Sequence, residues 1–311
     1  MKNKIKTILR SNPICCFFIY IIKYRIIMSI QFFLNYFLIK ISPNAPQNAD
    51  IQRYKNTKNG KSCIIIGNGP SVRMEDLNSI QKSGIDSFGA NRILDILENT
   101  SWRPTYLCVM DPSFIISLKT TCTPNQYYNQ IIKFGIENVF FNSMVKKYFK
   151  NTDRIHYIKN TPAIIFSKHL MAFSSNAARY ISDLGSVTHF SIQLAYYMGY
   201  STIYLYGIDN TYVKYLDNDG TFKINNTVES HIEGMKKNVD DEKQDKAVKT
   251  KFQAYKTGGY ADKRKSDKGY LECKRFAEKH NIKIINLTHG GTLDIFERQD
   301  FNSVFNKTDN T

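Results

Sequence analysis

"KSCIIIGNGPSV", residues 61–72, is the stretch that decides the fold. Cys63-Ile64-Ile65-Ile66 is a short β-branched apolar run, the pattern of a strand buried on both faces. It stops at Gly67-Asn68-Gly69-Pro70-Ser71. "SVRMEDLNSIQKSG" (71–84) then reads as a helix, with Ser71 placed to cap it and Glu75 and Asp76 near its first turn. A strand that runs into a helix through glycines opens a parallel α/β unit.

The same alternation continues down the chain. "IDSFGAN" (85–91), "TYLCVMD" (105–111), "NVFFNS" (138–143), "RIHYIK" (154–159), "TIYLYGID" (202–209) and "IKIINLT" (282–288) read as strands. "RILDILENT" (92–100), "SVTHFSIQLAYYMGY" (186–200) and "KGYLECKRFAEKHN" (268–281) read as helices. The expected fold is α/β, a Rossmann-like doubly wound and mainly parallel sheet. Residues 217–268 are polar and charged, and "KKNVDDEKQDKAVKTK" (236–251) reads as a solvated helix or a lid.

The chain has 311 residues, 42% of them hydrophobic and 13% aromatic, which fits a folded body with a real core rather than a disordered chain. Its formal net charge of +16 calls for a negatively charged partner. Six cysteines show neither a CxxC pair nor disulfide-framework spacing, and read as reduced thiols in a cytoplasmic protein. Lys2, Lys4, Lys6, Arg10, Lys23, Arg25 and Lys40 all precede the first acidic residue, Asp50. Between them lie "ICCFFIYII" and "IIMSIQFFLNYFLI", interrupted by Lys23-Tyr24-Arg25. A spanning helix needs about 20 uninterrupted apolar residues, so 1–42 reads as a basic hydrophobic helical arm lying on the anionic inner face of the membrane. A hydrophobic hairpin packed on the protein or a partner subunit is the competing reading. Residues 43–60 read as a linker, 61–305 as the catalytic body and 306–311 as a tail.

In an open α/β sheet ligands sit in the crevice at the carboxyl ends of the strands. Glycines there let backbone approach a ligand, and the next helix offers free amides and a positive dipole end. Gly67, Asn68, Gly69, Pro70 and Ser71 therefore form a candidate phosphate or nucleotide cradle, though neither GxGxxG nor a Walker lysine is present. Asn91, Asp111 and Asp209 end other strands and would converge on the same cleft.

The set "IIIGNGPSV", "FGAN", "RPTYLCVMDP", "GSVTHFSIQLAYYMGYSTIYLYGIDNTY" and "INLTHGGTLDIFERQDF" resembles the MptE-like family. That family is named for a 6-hydroxymethylpterin diphosphokinase and also includes the motility accessory factors. The elements "GNGPS" and "YLYGID" are similar to those of bacterial lipooligosaccharide sialyltransferases. The resemblance implies a nucleotide site at Gly67, Asn68, Gly69 and Ser71, with Asn91 bonding the phosphate or sugar. It adds the helix start Gly185-Ser186-Val187-Thr188, and Gly207 and Asp209 of the "GID" element. Tyr212 and Tyr215 are approximate counterparts of tyrosines that donate to the leaving phosphate.

The sialyltransferases carry a catalytic histidine shortly before the penultimate helix. Here that neighbourhood holds only Lys263, Arg264, Lys265 and Lys268, and His231 in "VESHIEGM" is the candidate base, with a surface histidine in a polar loop as the competing reading. His189 reads as a packing or ligand-contact residue, and His156, His169, His280 and His289 carry no usable pattern.

Two enzymatic readings follow from the resemblance. One is transfer of a nonulosonic acid from a CMP-sugar to a cell-surface glycan, with no cofactor or metal required. The other is ATP-dependent pyrophosphoryl transfer to a pterin, for which Asp111 and Asp209 would hold Mg²⁺. Nucleic acid is not an expected partner, because no nucleic-acid-binding signature accompanies the charge.

Overall fold

A computed structural model describes Ile30 and residues 49–110, 123–149, 152–158, 160–162, 173–219, 221–229, 231–232, 235 and 261–305. Apart from Ile30, the arm expected over 1–42 lies outside the described residues, as do Asp111, His169, the run 236–251 and the tail 306–311.

In chain order the first elements are β1 (Ser62–Ile66), α1 (Met74–Ser83), β2 (Asp86–Ala90), β3 (Tyr106–Val109), α2 (Pro124–Lys133), β4 (Asn138–Asn142) and β5 (Ile155–Ile158). Then come β6 (Asn160–Pro162), β7 (Ile181–Asp183), α3 (Val187–Met198), β8 (Thr202–Tyr206), β9 (Lys214–Leu216) and β10 (Phe222–Ile224). The last are β11 (Ala261–Asp262), α4 (Lys263–Lys279), β12 (Lys283–Asn286), β13 (Glu297–Arg298) and α5 (Phe301–Phe305).

The main sheet runs β13-β12-β8-β1-β2-β3-β4-β5, and every neighbouring pair is parallel. Strands β2 to β5 extend from one side of β1, and β8, β12 and β13 from the other. The order therefore reverses beside β1, and β8 lies against it in register from Ser62↔Thr202 to Ile66↔Tyr206.

Period-two alternation places side chains on opposite faces of this sheet. Cys63 and Ile65 join one core with Phe190, Leu194 and Tyr197 of α3 and Tyr270, Cys273 and Ala277 of α4. Ile64 and Ile66 join the other, with Leu77 and Ile80 of α1, Tyr127 and Ile131 of α2, and Phe301 of α5. The fold is thus α/β, Rossmann-like and doubly wound, as the sequence pattern requires.

Several local expectations change. Residues 91–99 form a 3-10 helix whose Ile93, Leu94, Ile96 and Leu97 are buried in the core shared with α1 and α2. Within the linker reading, Ala49–Tyr54 is a 3-10 helix packed on the body. Ile51 is buried, the Tyr54 hydroxyl donates to Asn138 Oδ1 (2.7 Å), and Arg53 bonds His156 Nε2 (2.9 Å). Burial, aided by the Arg53 charge, lowers His156 to about 4. The polar stretch 217–268 contributes β10, β11 and the start of α4, and a second small sheet runs β10-β9-β11. Its hairpin pairs Phe222 with Leu216.

Phe140 of β4 is fully buried, 5.4 Å by ring centroid from Tyr54, 5.3 Å from His156 and 6.2 Å from Tyr106. Phe140→Ala should lower unfolding free energy by about 3–5 kcal/mol, the usual cost of emptying an aromatic core site. Urea unfolding followed by circular dichroism measures this; a change within error would mean the β4 face is not packed as described.

Candidate functional site

The crevice at the strand-order reversal is built where the ends of β1 and β8 meet. The Gly67 amide donates to Tyr206 O (2.8 Å) and the Gly69 amide to Gly207 O (3.0 Å), so the ladder continues past both strands. A Cβ on Gly67 would lie 2.4 Å from Gly207 O, and one on Gly69 would lie 1.8 Å from Asp209 Oδ2. Gly207 sits at φ 67°, and a Cβ there would meet Val72 Cγ2 at 2.2 Å. The sequence suggested that these glycines make room for a ligand. In the structure Gly67 and Gly69 also make room for the adjacent strand end.

Ser71 is not a helix cap. Arg73 holds the N-cap position of α1 without a side-chain bond, and Ser71 Oγ donates to Asp209 Oδ2 (2.8 Å). Burial raises the Asp209 carboxyl above its ordinary range, against the opposing Ser71 hydrogen bonds and the Arg298 charge. The loop after β12 encloses Asp209 from the other side. The Thr292 amide donates to Asp209 O (2.7 Å), the Ile208 amide to Thr288 Oγ1 (3.1 Å), and a Cβ on Gly291 would lie 2.8 Å from Asp209 Cα.

The strand-end asparagines bond sideways along the rim. Asn68 Nδ2 donates to Ala90 O (3.0 Å), and its Oδ1 is buried with no hydrogen-bond partner among the described residues. Asn91 Oδ1 accepts from the Met110 amide (3.2 Å), and Asn142 Nδ2 donates to Met110 O (3.1 Å). Asn91 also adopts φ 44°, and its carbonyl accepts from the Tyr127 hydroxyl (2.6 Å). In this structure Asn91 is a stitch between β2, β3 and α2.

Beyond Asp209, Asn210 turns through φ 56° and donates to Asp267 Oδ1 (2.9 Å), while its Oδ1 accepts from the Tyr212 hydroxyl (3.2 Å). Asp267 also accepts from Lys263 (2.7 Å) and from Asn218 (2.9 Å). Burial opposes its charged form, but these bonds outweigh burial and hold its carboxyl below the ordinary value. Asp267 thereby fixes the β9–β10 hairpin to α4 and to the end of β8. Burial raises the Tyr212 phenol, and its ring centroid lies 6.5 Å from that of Tyr215 on β9. His231 is exposed, next to Ile232, whose buried side chain and amide bond to Asn68 O (2.9 Å) bring this segment to the mouth of the cradle.

Gly185 turns through φ 105° and Ser186 caps α3, accepting from the Thr188 amide (3.2 Å). Lys265 covers Gly185 and binds Asp183 (2.9 Å). His189 is buried edge-to-face against Tyr270, with centroids 4.1 Å apart. Burial lowers it to about 3, so it is a neutral packing residue.

One cluster has no counterpart in the sequence reading. His289, on the loop after β12, places Nε2 2.8 Å from Asp76 Oδ2 on the first turn of α1. The Tyr206 hydroxyl donates to the same oxygen (2.5 Å) and accepts from the Arg73 amide (3.0 Å). The signal available in sequence was position alone: "IKIINLTHGG" puts His289 just past a strand's carboxyl end.

Among the described residues, no group of three or more His, Cys, Asp or Glu is arranged to hold a metal. A cavity of about 300 Å³, lined by residues including Lys55, Tyr196, Tyr200 and Ile282, opens at the amino ends of the strands, away from this crevice.

Gly69→Ala should cost about 1–3 kcal/mol, the usual range for overpacking, because the new methyl must displace Asp209. Ser71→Ala should cost about 1 kcal/mol for one lost hydrogen bond. Both act on one carboxylate, so the double variant should depart from additivity. Urea midpoints test this, and strict additivity would show that the two residues do not share Asp209.

The family described as "6-hydroxymethylpterin diphosphokinase MptE-like" matches residues 39–214. A solved structure, "Structure of MAf glycosyltransferase from Magnetospirillum magneticum AMB-1", is similar at 14% identity and a TM-score of 0.44, over 83% of this chain and 38% of that one. This chain therefore spans well under half the length of that protein. No curated protein matches. The family match takes in more than half of the 311 residues and ends beyond the β1–β8 seam, and on that basis the chain belongs to the MptE-like family.

Proposed function

We propose that this chain is a nucleotide-dependent transferase that moves a sugar, of the nonulosonic acid class, from a CMP-linked donor to a glycan acceptor. The observation that carries the reading is the reversal of strand order at the β1–β8 seam, the place where a doubly wound sheet offers its ligand site. Around it stand Asn68 with an unpartnered buried oxygen, the enclosed Asp209, and Tyr212 behind Asn210. A phenol raised by burial keeps its proton at neutral pH and is suited to donate to a departing phosphate. The buried Asn68 oxygen suits a hydroxyl or amino donor on the nucleotide or sugar.

The family's own description favours the second reading, ATP-dependent pyrophosphoryl transfer to a pterin. That chemistry relies on Mg²⁺ to neutralise the transferring phosphates. Asp209 fits such an ion poorly, because its Oδ2 faces inward to Ser71 and lies against Gly69. The metal would rest on Asp111, outside the described residues.

A thermal-shift series with CMP, CDP, UDP, GDP and ATP, each with and without Mg²⁺, tests the choice, since a ligand selective for the native state raises its apparent stability. CMP is expected to raise Tm with or without the metal. A shift by ATP alone, and only with Mg²⁺, would move the assignment to pyrophosphoryl transfer.

A lipid-linked glycan acceptor would place the enzyme at the inner face of the membrane, held there by its basic arm. Among the described residues no helix is long and apolar enough to cross a membrane. The full chain is expected to sediment with vesicles containing phosphatidylserine and to be released at high salt. Equal recovery with neutral and anionic vesicles would remove the electrostatic attachment.

A further inference from the structure

We infer that His289, held by Asp76, is the group that takes the proton from the acceptor hydroxyl during transfer. The inference rests on the transferase reading above, and it replaces His231 in that role.

The geometry is that of a base with an orienting carboxylate. A carboxylate oxygen can only accept, so the 2.8 Å contact places a proton on His289 Nε2, and in the neutral ring the lone pair is then on Nδ1. Among the described residues Nδ1 has no hydrogen-bond partner, and the His289 side chain is 22% exposed. Asp76 is itself fixed: it is buried, and the Tyr206 hydroxyl donates to the oxygen that receives His289. The Tyr206 ring lies edge-on to His289 at 5.8 Å and Phe301 of α5 packs at 5.9 Å, so two neighbouring aromatic rings support the imidazole.

The backbone around it is clamped as well. Arg298 Nη2 donates to Thr288 O (2.7 Å) and to Gly290 O, the carbonyls on either side of His289. Gly290 and Gly291 turn through φ 69° and 73°, which folds the loop back so that Gly291 rests on Asp209. Thr288 and Gly291, which flank His289 in the chain, thus both touch the Ile208–Asp209 segment of the crevice.

In the step itself, the acceptor oxygen forms a bond to the anomeric carbon as the bond from that carbon to the donor phosphate breaks. The electron pair leaves with the nucleoside monophosphate, the hydroxyl proton passes to His289 Nδ1, and water later removes it. Asp76 touches neither substrate and is a positioning residue.

The test is transfer kinetics on the full chain with a CMP-sugar and a glycan acceptor. His289→Ala should lower kcat about 100-fold or more, the range for a lost general base, with donor affinity little changed and with partial rescue by added imidazole. His289→Gln can still donate to Asp76, so it separates loss of the base from loss of the contact; it should be as slow as the alanine variant and keep the parent's Tm. Asp76→Asn should lower kcat while leaving the KM for the donor close to that of the parent. A His289→Gln enzyme with parental kcat would overturn the inference and make the pair a structural tie. Loss of turnover in His231→Ala with His289→Gln unaffected would do the same and return the role to His231. A parent that is inert with every nucleotide-sugar would overturn the transferase reading and this inference together.

Discussion

The seam between β1 and β8 is the constraint on which the rest of the site depends. Two parallel strands meet there, where the strand order reverses, and their ends continue to bond after the strands stop: Gly67 to Tyr206 and Gly69 to Gly207. That approach is possible only where no Cβ intervenes, at Gly67, Gly69 and Gly207. Once the seam closes, Ser71 falls within hydrogen-bond reach of Asp209, Val72 lies against Gly207, and α1 starts from a fixed point. The loop after β12 then has one surface to close on, which it does through Thr288, Gly291 and Thr292.

A parallel sheet leaves unpaired backbone groups at its carboxyl rim, and buried ones are costly to leave unmade. Asn68, Asn91 and Asn142 meet this need by reaching sideways to Ala90 and to the two polar groups of Met110. Polar side chains at strand ends thus serve the rim itself before they serve any ligand. What is left over, notably Asn68 Oδ1 and His289 Nδ1, is more informative about function than the list of strand-end residues.

Much of the architecture was legible from hydrophobic runs. Cys63 to Ile66, Tyr106 to Val109 and Ile203 to Tyr206 alternate between two cores because each strand is covered on both faces, and such runs separated by helices admit few arrangements. Short-range chemistry was less legible. Ser71 followed by Glu75 and Asp76 has the composition of a helix start, yet Asp209, distant in sequence, competes for the hydroxyl and wins. Residues 49–54 look like linker by composition, and only their packing on β4 and β5 gives Ile51 and Tyr54 a place.

The sequence by itself determined the α/β class, the glycine-rich turn after β1 and the set of strand ends from which a site had to be made, because these follow from periodicity and from the few residues that tolerate a tight approach. It could not determine which strand lies beside β1, since pairing between segments over a hundred residues apart leaves no local mark. Only the tertiary structure placed β8 there, set Gly67 and Gly69 against Gly207 and Asp209, and joined Asp76 to His289 across 213 positions. Side chains that meet by long-range packing are specified by the whole core at once, and no window of sequence contains that information.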